Sequence, residues 1–216
     1  AASRSGAACI PGIFRRRPCP RGETGHGVLP VSETETIIRI AARGDGVTAS
    51  GRHVAGGVPG DILAADGTLT PGPHHAIPPC RHFSVCGGCQ LQHADEEALR
   101  QFVTDRVVHA AQAQDISVGE VLPTHLSPPR SRRRATLHAL RTAKGAVLGF
   151  RESGSHRIVD MQECHILVPE LFALAGPLRT LVGKHGGRQA VDIELTLTDQ
   201  GVDCTLKGIE ADGLAA

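Results

Sequence analysis

The residues with the clearest chemical potential are cysteines, three of which fall within ten positions: Cys80, Cys86 and Cys89. Thiolates this close in sequence can converge on one metal or cluster, and Gly87 and Gly88 let the backbone turn tightly between the last two. A fourth candidate, Cys164, lies far downstream. Because the chain has 7 cysteines, an odd number, the sequence favours metal or cluster binding over a disulfide framework.

The spacing of the thiols leaves the metal open. Five residues separate Cys80 from Cys86, and two separate Cys86 from Cys89. The first gap is one residue longer than in plant-type iron-sulfur proteins, whereas zinc sites usually combine two closely spaced pairs of Cys or His ligands. A 4Fe-4S cluster with four thiolates is the favoured interpretation. The alternative is a zinc site in which three cysteines are completed by His82, His93 or His165.

A family resemblance enters at this stretch. The motif CGGCQLQH at residues 86–93, preceded by PCRHF at 79–83, resembles the cluster loop of the iron-sulfur RNA uracil-5-methyltransferases, the 23S ribosomal RNA m5U family. Residues 131–135, 149–151 and 158–167 resemble the same family's central domain, in the same order. The resemblance covers residues 35–208. It implies that the four ligands of a 4Fe-4S cluster are Cys80, Cys86, Cys89 and Cys164.

Ahead of the cysteines, short β-prone runs separated by glycine turns begin at Thr34 and predict a small antiparallel sheet or barrel. Their order, especially VPGD at residues 58–61, is similar to the TRAM domain that begins these methyltransferases, an OB-like RNA-binding barrel. Only eighteen residues separate Asp61 from Cys80, so we expect one or two barrel strands to be missing. The predicted fold class is α+β, with a shortened TRAM-like barrel at 32–78 and a mixed antiparallel-sheet and helix domain carrying the four-cysteine cluster at 79–210.

Hydrophobic periodicity predicts the elements of the second domain. A helix is expected to begin at residues 95–97 and to end at about residue 114. One face of it is apolar and is expected to be buried against the neighbouring sheet: Leu99, Phe102, Val103, Val107 and Ala110. Strands are expected at 134–141, 146–151 and 157–161, and a helix at 169–184 with a kink at Pro177. A hairpin at 192–206 places Cys204 among core side chains, which excludes it as a ligand.

Charge is concentrated locally. The net charge is +1, but residues 130–157 hold seven Arg and one Lys against one Glu. Such a segment is typical of a local contact with a polyanion, or else of a solvated sheet face. The resemblance favours RNA, and 23S rRNA in particular, with four arginines as contacts: Arg132, Arg133, Arg134 and Arg151. With 5 Phe, no Tyr and no Trp, the chain offers little base stacking.

Residues 1–31 show no helical or strand period, and we expect a disordered extension. The chain begins with Ala and contains no strand-GxGxxG-helix unit for S-adenosylmethionine, so we expect a fragment without the C-terminal methyltransferase domain. The full protein resembles an S-adenosylmethionine-dependent 23S rRNA uracil-5-methyltransferase. The fragment alone is predicted to be inactive, and no catalytic residue is assigned.

The alternative function is a free-standing iron-sulfur or zinc module that binds nucleic acid without catalysis. In either case no run approaches the roughly 18 consecutive apolar residues of a membrane-spanning helix. Together with the thiols, this predicts a cytoplasmic monomer that binds no membrane.

Overall fold

The computed structural model describes residues 34–209. The expected extension at 1–31 lies outside this range, as do Cys9 and Cys19. The described chain is α+β with two antiparallel sheets, which confirms the predicted class. Between the sheets along the chain lie a long irregular segment with the clustered cysteines and one long helix.

The first sheet has five short strands in the order β3-β2-β1-β4-β5. Their bounds are β1 Thr34–Ile40, β2 Gly46–Thr48, β3 His53–Val54, β4 Ile62–Ala64 and β5 Leu69–Thr70. A register irregularity between Ile37 and Arg39 lets β1 pair with β4 through its first half and with β2 through its second. Such an irregularity bends a strand and curls its sheet. Five strands are more than we expected from the short spacing before Cys80.

A buried carboxylate ties this sheet to the irregular segment that follows. Asp61 is fully buried and accepts hydrogen bonds from the backbone N–H groups of Val58, at 2.9 Å, and Gly72, at 2.7 Å. A third contact, at 2.8 Å, joins it to Nδ1 of His75. These three partners offset the cost of burying the charge. The path from the sheet toward the cysteines is thereby fixed.

Helix α1 spans Glu96–Gln112, close to its predicted bounds. Asp95 caps it by accepting from the N–H of Ala98 at 2.8 Å, which satisfies one of the free donors of the first turn. Ala98 is buried, whereas Val103 and Val107 are exposed. The predicted burial of the whole apolar stripe was therefore wrong, because only the N-terminal half of the helix meets another element.

The second sheet has the order β7-β6-β8-β9, with β6 Arg134–Thr142, β7 Gly145–Gly149, β8 Val191–Thr198 and β9 Gly201–Lys207. Both predicted hairpins are present, and β6 pairs with β8 over six residues to join them. The expected strand at 157–161 is reduced to one bridge, between Arg151 and Ile158.

Two helices cover the second sheet: α2 Pro169–Ala173 and α3 Ala175–His185. The single kinked helix we expected is divided at Leu174, not at Pro177. Pro177 lies in the first turn of α3, where its missing N–H sacrifices no helical hydrogen bond. Leu171 and Leu178 point into a core with buried strand residues such as Leu137, Leu148 and Ile193. Within residues 34–209, no helix combines the length and apolar character needed to cross a membrane.

Candidate metal centre

The cysteine loop, residues 80–89, folds as a tight turn and then pairs with a distant segment. The N–H of Phe83 donates to the carbonyl of Cys80 at 3.1 Å, and the N–H of Cys86 donates to that of His82 at 2.8 Å. Cys86 then forms an antiparallel bridge with Glu152. The loop is thus held against the chain that leaves β7.

Gly87 and Gly88 are needed in this loop because the segment that leaves β7 passes very close to them. A Cβ at Gly87 would lie 2.9 Å from the carbonyl oxygen of Arg151, and one at Gly88 would lie 2.9 Å from the ring of Phe150. The N–H of Gly87 also donates to that same carbonyl, at 2.9 Å. Any side chain would push the loop away from this neighbour, so the glycines act through space and not through an unusual φ.

The fourth cysteine arrives on a loop that is attached to the first three. The backbone N–H of Arg81 donates to Glu163 at 2.8 Å, and the N–H of Gln162 donates to Nε2 of His82 at 3.0 Å. From the other side, Arg179 of α3 holds this loop through Asp160, at 3.0 Å. Cys164 follows directly, 75 positions after Cys89 (164 − 89).

The four predicted ligands come together. All four line one pocket with Phe150 and Met161, and each is half-buried and free of any disulfide: Cys80, Cys86, Cys89 and Cys164. The pocket has about 20 Å³ in which the centre of a water-sized group fits, which is room for about one water. All the empty space between its walls, including the part open to solvent, amounts to about 350 Å³.

The thiols also influence one another's protonation. Burial raises the pKa of Cys86, the N–H of Gly88 opposes that rise, and the charges of Cys80 and Cys164 add to it. Burial likewise raises the pKa of Cys89, opposed by the side chain of Gln92. Repulsion between neighbouring thiolates is what a bound cation would relieve.

Within residues 34–209, no three His, Cys, Asp or Glu side chains are placed to hold a single metal ion. A tetrahedral zinc ion, with Zn–S bonds of about 2.3 Å, requires sulfurs roughly 3.8 Å apart. A 4Fe-4S cluster presents a different iron to each thiolate and so accepts wider spacing. Four cysteine side chains are the usual ligand set of such a cluster.

Of the three histidines considered for zinc, two line the pocket and one does not. His82 already uses Nε2 to accept from Gln162, and His165 lies 3.7 Å from Glu163. His93 is buried against the rings of Phe83 and His75, outside the cysteine pocket.

Relatives among curated proteins share this region. An uncharacterized RNA methyltransferase of Zymomonas mobilis is 48% identical over 171 residues, which is 79% of this chain and 43% of that protein. One from Caulobacter vibrioides is 37% identical over 200 residues, 84% of this chain and 48% of the relative. Over these matched residues the chain is similar to proteins that are named RNA methyltransferases.

A further relative carries a fuller name. The 23S rRNA (uracil(1939)-C(5))-methyltransferase RlmD of Pectobacterium atrosepticum is 30% identical over 146 residues, which is 66% of this chain and 32% of that protein. The chain thus spans less than half the length of each of these relatives. No protein-family model matches it.

The four arginines predicted to contact RNA divide into two pairs. Arg132 lies beside the cysteine loop, with its guanidinium 3.4 Å from the carbonyl of Gly88, and Arg151 supplies the carbonyl that binds Gly87. Arg133 directly precedes β6 and Arg134 begins it, and Arg133 is 3.7 Å from Asp199.

The two arginines of β6 lie on different faces of the sheet. Arg134 and Arg141 are seven positions apart on β6 (141 − 134) and therefore point to opposite faces. The register places Asp192 and Glu194 on the same face as Arg134. Arg132 and Arg151 flank the cysteine loop, and Arg151 also lies 3.9 Å from Asp192.

Cys204 corrects another expectation. The register sets it opposite Leu195, on the inward face as predicted, but it is exposed because β9 is an edge strand that no helix covers. Sequence reasoning also missed Gln92 and Glu163, which line the cysteine pocket. Gln92 lies three positions after Cys89 and Glu163 directly precedes Cys164, and this closeness to the cysteines in sequence could have indicated them.

Proposed function

We propose that this chain is the part of an S-adenosylmethionine-dependent 23S rRNA uracil-5-methyltransferase that holds a 4Fe-4S cluster and helps to position RNA. The observation that carries the proposal is the meeting of four cysteines from two distant segments in one pocket. The relatives reported above are all named RNA methyltransferases, and only the name of the Pectobacterium atrosepticum protein specifies uracil.

Cys80, Cys86, Cys89 and Cys164 would hold the cluster as thiolates. When bound, it would supply a rigid cross-link between the two loops, and no electron transfer is assigned to it. Glu163 and His82 position the loop that carries Cys164, through their bonds to the backbones of Arg81 and Gln162. The cysteine loop in turn positions Arg132 and Arg151 at one edge of the second sheet.

The first sheet supports the RNA assignment in outline. Five antiparallel strands form a curled sheet, as in an OB-like barrel such as TRAM, although four of the five have only two or three residues. We assign S-adenosylmethionine binding and catalysis to the part of the relatives that this chain does not span.

Two cysteine variants test the ligand set. Cys164→Ser should remove bound iron and its visible absorbance, because the second loop would lose its only thiolate. Cys204→Ser is the matched control: it changes an exposed thiol on β9 and should leave iron content unchanged. Equal iron in both purified proteins would refute the assignment of Cys164.

The arginines are tested by RNA binding. Converting Arg132 and Arg151 to Gln together should weaken single-stranded RNA binding about equally across unrelated sequences, since phosphate contacts carry no base information. The log-log salt slope should flatten by roughly 0.7 for each phosphate contact that the substitutions remove. Arg141→Gln, on the opposite side of β6 from Arg134, is the control and should change neither quantity.

A further inference from the structure

A second depression lies between the first sheet and the outer side of the cysteine loop. Its volume is about 480 Å³, within the range of roughly 300–1,000 Å³ that small-molecule sites occupy. The turn after β1 forms one wall and the cysteine loop the other. The lining combines charged, amide and ring groups: Arg43, Asp45, His75, Phe83, Gln90 and His93.

His93 is the unusual member of this cleft. It is only 5% exposed, yet neither ring nitrogen has a hydrogen-bond partner among the described residues. Burial lowers its pKa and the charge of His75 lowers it further, so the ring is neutral and each nitrogen needs a partner. Leaving such groups unpaired is costly, and an apolar ring would pack here without that cost. A polar ring at this place is explained by an occupant that hydrogen-bonds to it.

The other groups indicate the chemistry of the occupant. Arg43 forms no ion pair with any described residue and lies at the rim, where a guanidinium suits a phosphate. The ring of Phe83, 5.4 Å from that of His93, offers a stacking surface, and the amide of Gln90 offers both a donor and an acceptor. Asp45 also lines the cleft and suits a hydroxyl donor. Phosphate, flat ring and hydroxyl occur together in a nucleotide.

We propose that this cleft binds one nucleotide of an RNA strand, with Arg43 on its phosphate and Phe83, Gln90 and His93 around its base. The inference rests on the proposed function, which makes RNA the polyanion. The cleft would extend the RNA path from Arg132 and Arg151, across the cysteine loop, to the first sheet. The charged side chains of Arg43 and Asp45 in its lining disfavour a lipid or an apolar peptide.

The first experiment compares Arg43, in the turn after β1, with Arg39, on β1 itself. Binding of a fluorescein-labelled, unstructured RNA octamer is measured by anisotropy for the chain, for Arg43→Ala and for Arg39→Ala. Arg39 is the control because it lies on β1 beside a different depression. Arg43→Ala should weaken binding about tenfold, as expected for one charge-assisted contact, and Arg39→Ala should have little effect. Equal affinities for the two variants would overturn the proposal.

The second experiment separates binding from packing. His93→Phe should raise the thermal midpoint, because it removes two unpaired nitrogens from a buried site. It should also weaken RNA binding about fivefold, the loss of one neutral hydrogen bond. A higher midpoint with unchanged RNA affinity would make His93 a packing residue and overturn its role.

Two further measurements identify which idea has failed. Uridine monophosphate should compete with the octamer, but at concentrations at least about a hundredfold higher, since the strand contributes further phosphate contacts. Equal affinities of the two ligands would mean a free-nucleotide site and contradict the RNA assignment. Iron is measured in every sample: its absence from the unmodified chain would refute the cluster, whereas the Arg43 and His93 comparisons would still decide the cleft.

Discussion

The four-stranded sheet and the cysteine region, by which we mean residues 71–95 and 150–168, are stabilised in different ways. The sheet has continuous ladders and a core of fully buried residues beneath α2 and α3. The cysteine region has isolated bridges and hydrogen bonds between a side chain and a distant backbone N–H. Its second segment also contributes Met161, Leu167 and Val168 to the core of the sheet. The sheet is therefore stabilised by its own ladders and core, whereas we propose that the loops of the cysteine region are stabilised further by the group that their thiols bind.

The largest expected effect comes from damaging the sheet. Ile193→Ala removes a fully buried side chain and should lower the free energy of unfolding by about 2–5 kcal/mol. The protein that remains folded should keep its iron, because Ile193 lies outside the cysteine pocket. Chemical denaturation and iron analysis of the same samples check both parts. Thr205→Ala, an exposed position on β9, is the control and should leave both quantities unchanged.

A smaller effect, confined to the other region, should follow from Gly87→Ala. Its new methyl group would meet the backbone carbonyl of Arg151, which cannot rotate away, so the variant should lose about 1–3 kcal/mol and part of its iron. Gly187→Ala adds the same methyl group where nothing lies within 4 Å and should do neither. Hydrogen exchange should then show faster amides in residues 80–89 while β6 and β8 stay protected. Uniformly faster exchange would contradict the division into two regions.

The same division explains how much could be predicted from the sequence. Alternation identified β8 and β9, and Asp95 followed by Glu96 and Glu97 identified the start of α1, because those signals are local. The exposure of Val107 and of Cys204 depends on where neighbouring elements end, which no local pattern records. The contacts of Glu163 with Arg81 and of Gln162 with His82 join segments 80 or more positions apart. Only the cysteine spacing and the family resemblance indicated that these segments meet.

The smallest expected effect is a pH dependence at the edge of the cysteine region. Nδ1 of His74 lies 2.9 Å from Asp95, and this hydrogen bond raises the pKa of His74. A raised pKa in the folded state means that the stabilisation is complete below about pH 6.5 and is lost as pH rises through the folded value. His74→Gln should therefore lower the thermal midpoint slightly at pH 5.5 and hardly at all at pH 8.5. A difference larger at pH 8.5 would show that the pair does not act through its charge.

The identity of the bound group tests the account most directly. The chain is purified without oxygen, and iron, acid-labile sulfide and zinc are counted per chain. We expect about four iron and four sulfide with little zinc, because four cysteines line one pocket and four thiolates are the usual ligand set of a 4Fe-4S cluster. One zinc per chain without sulfide would contradict the cluster and would make the site a structural zinc centre.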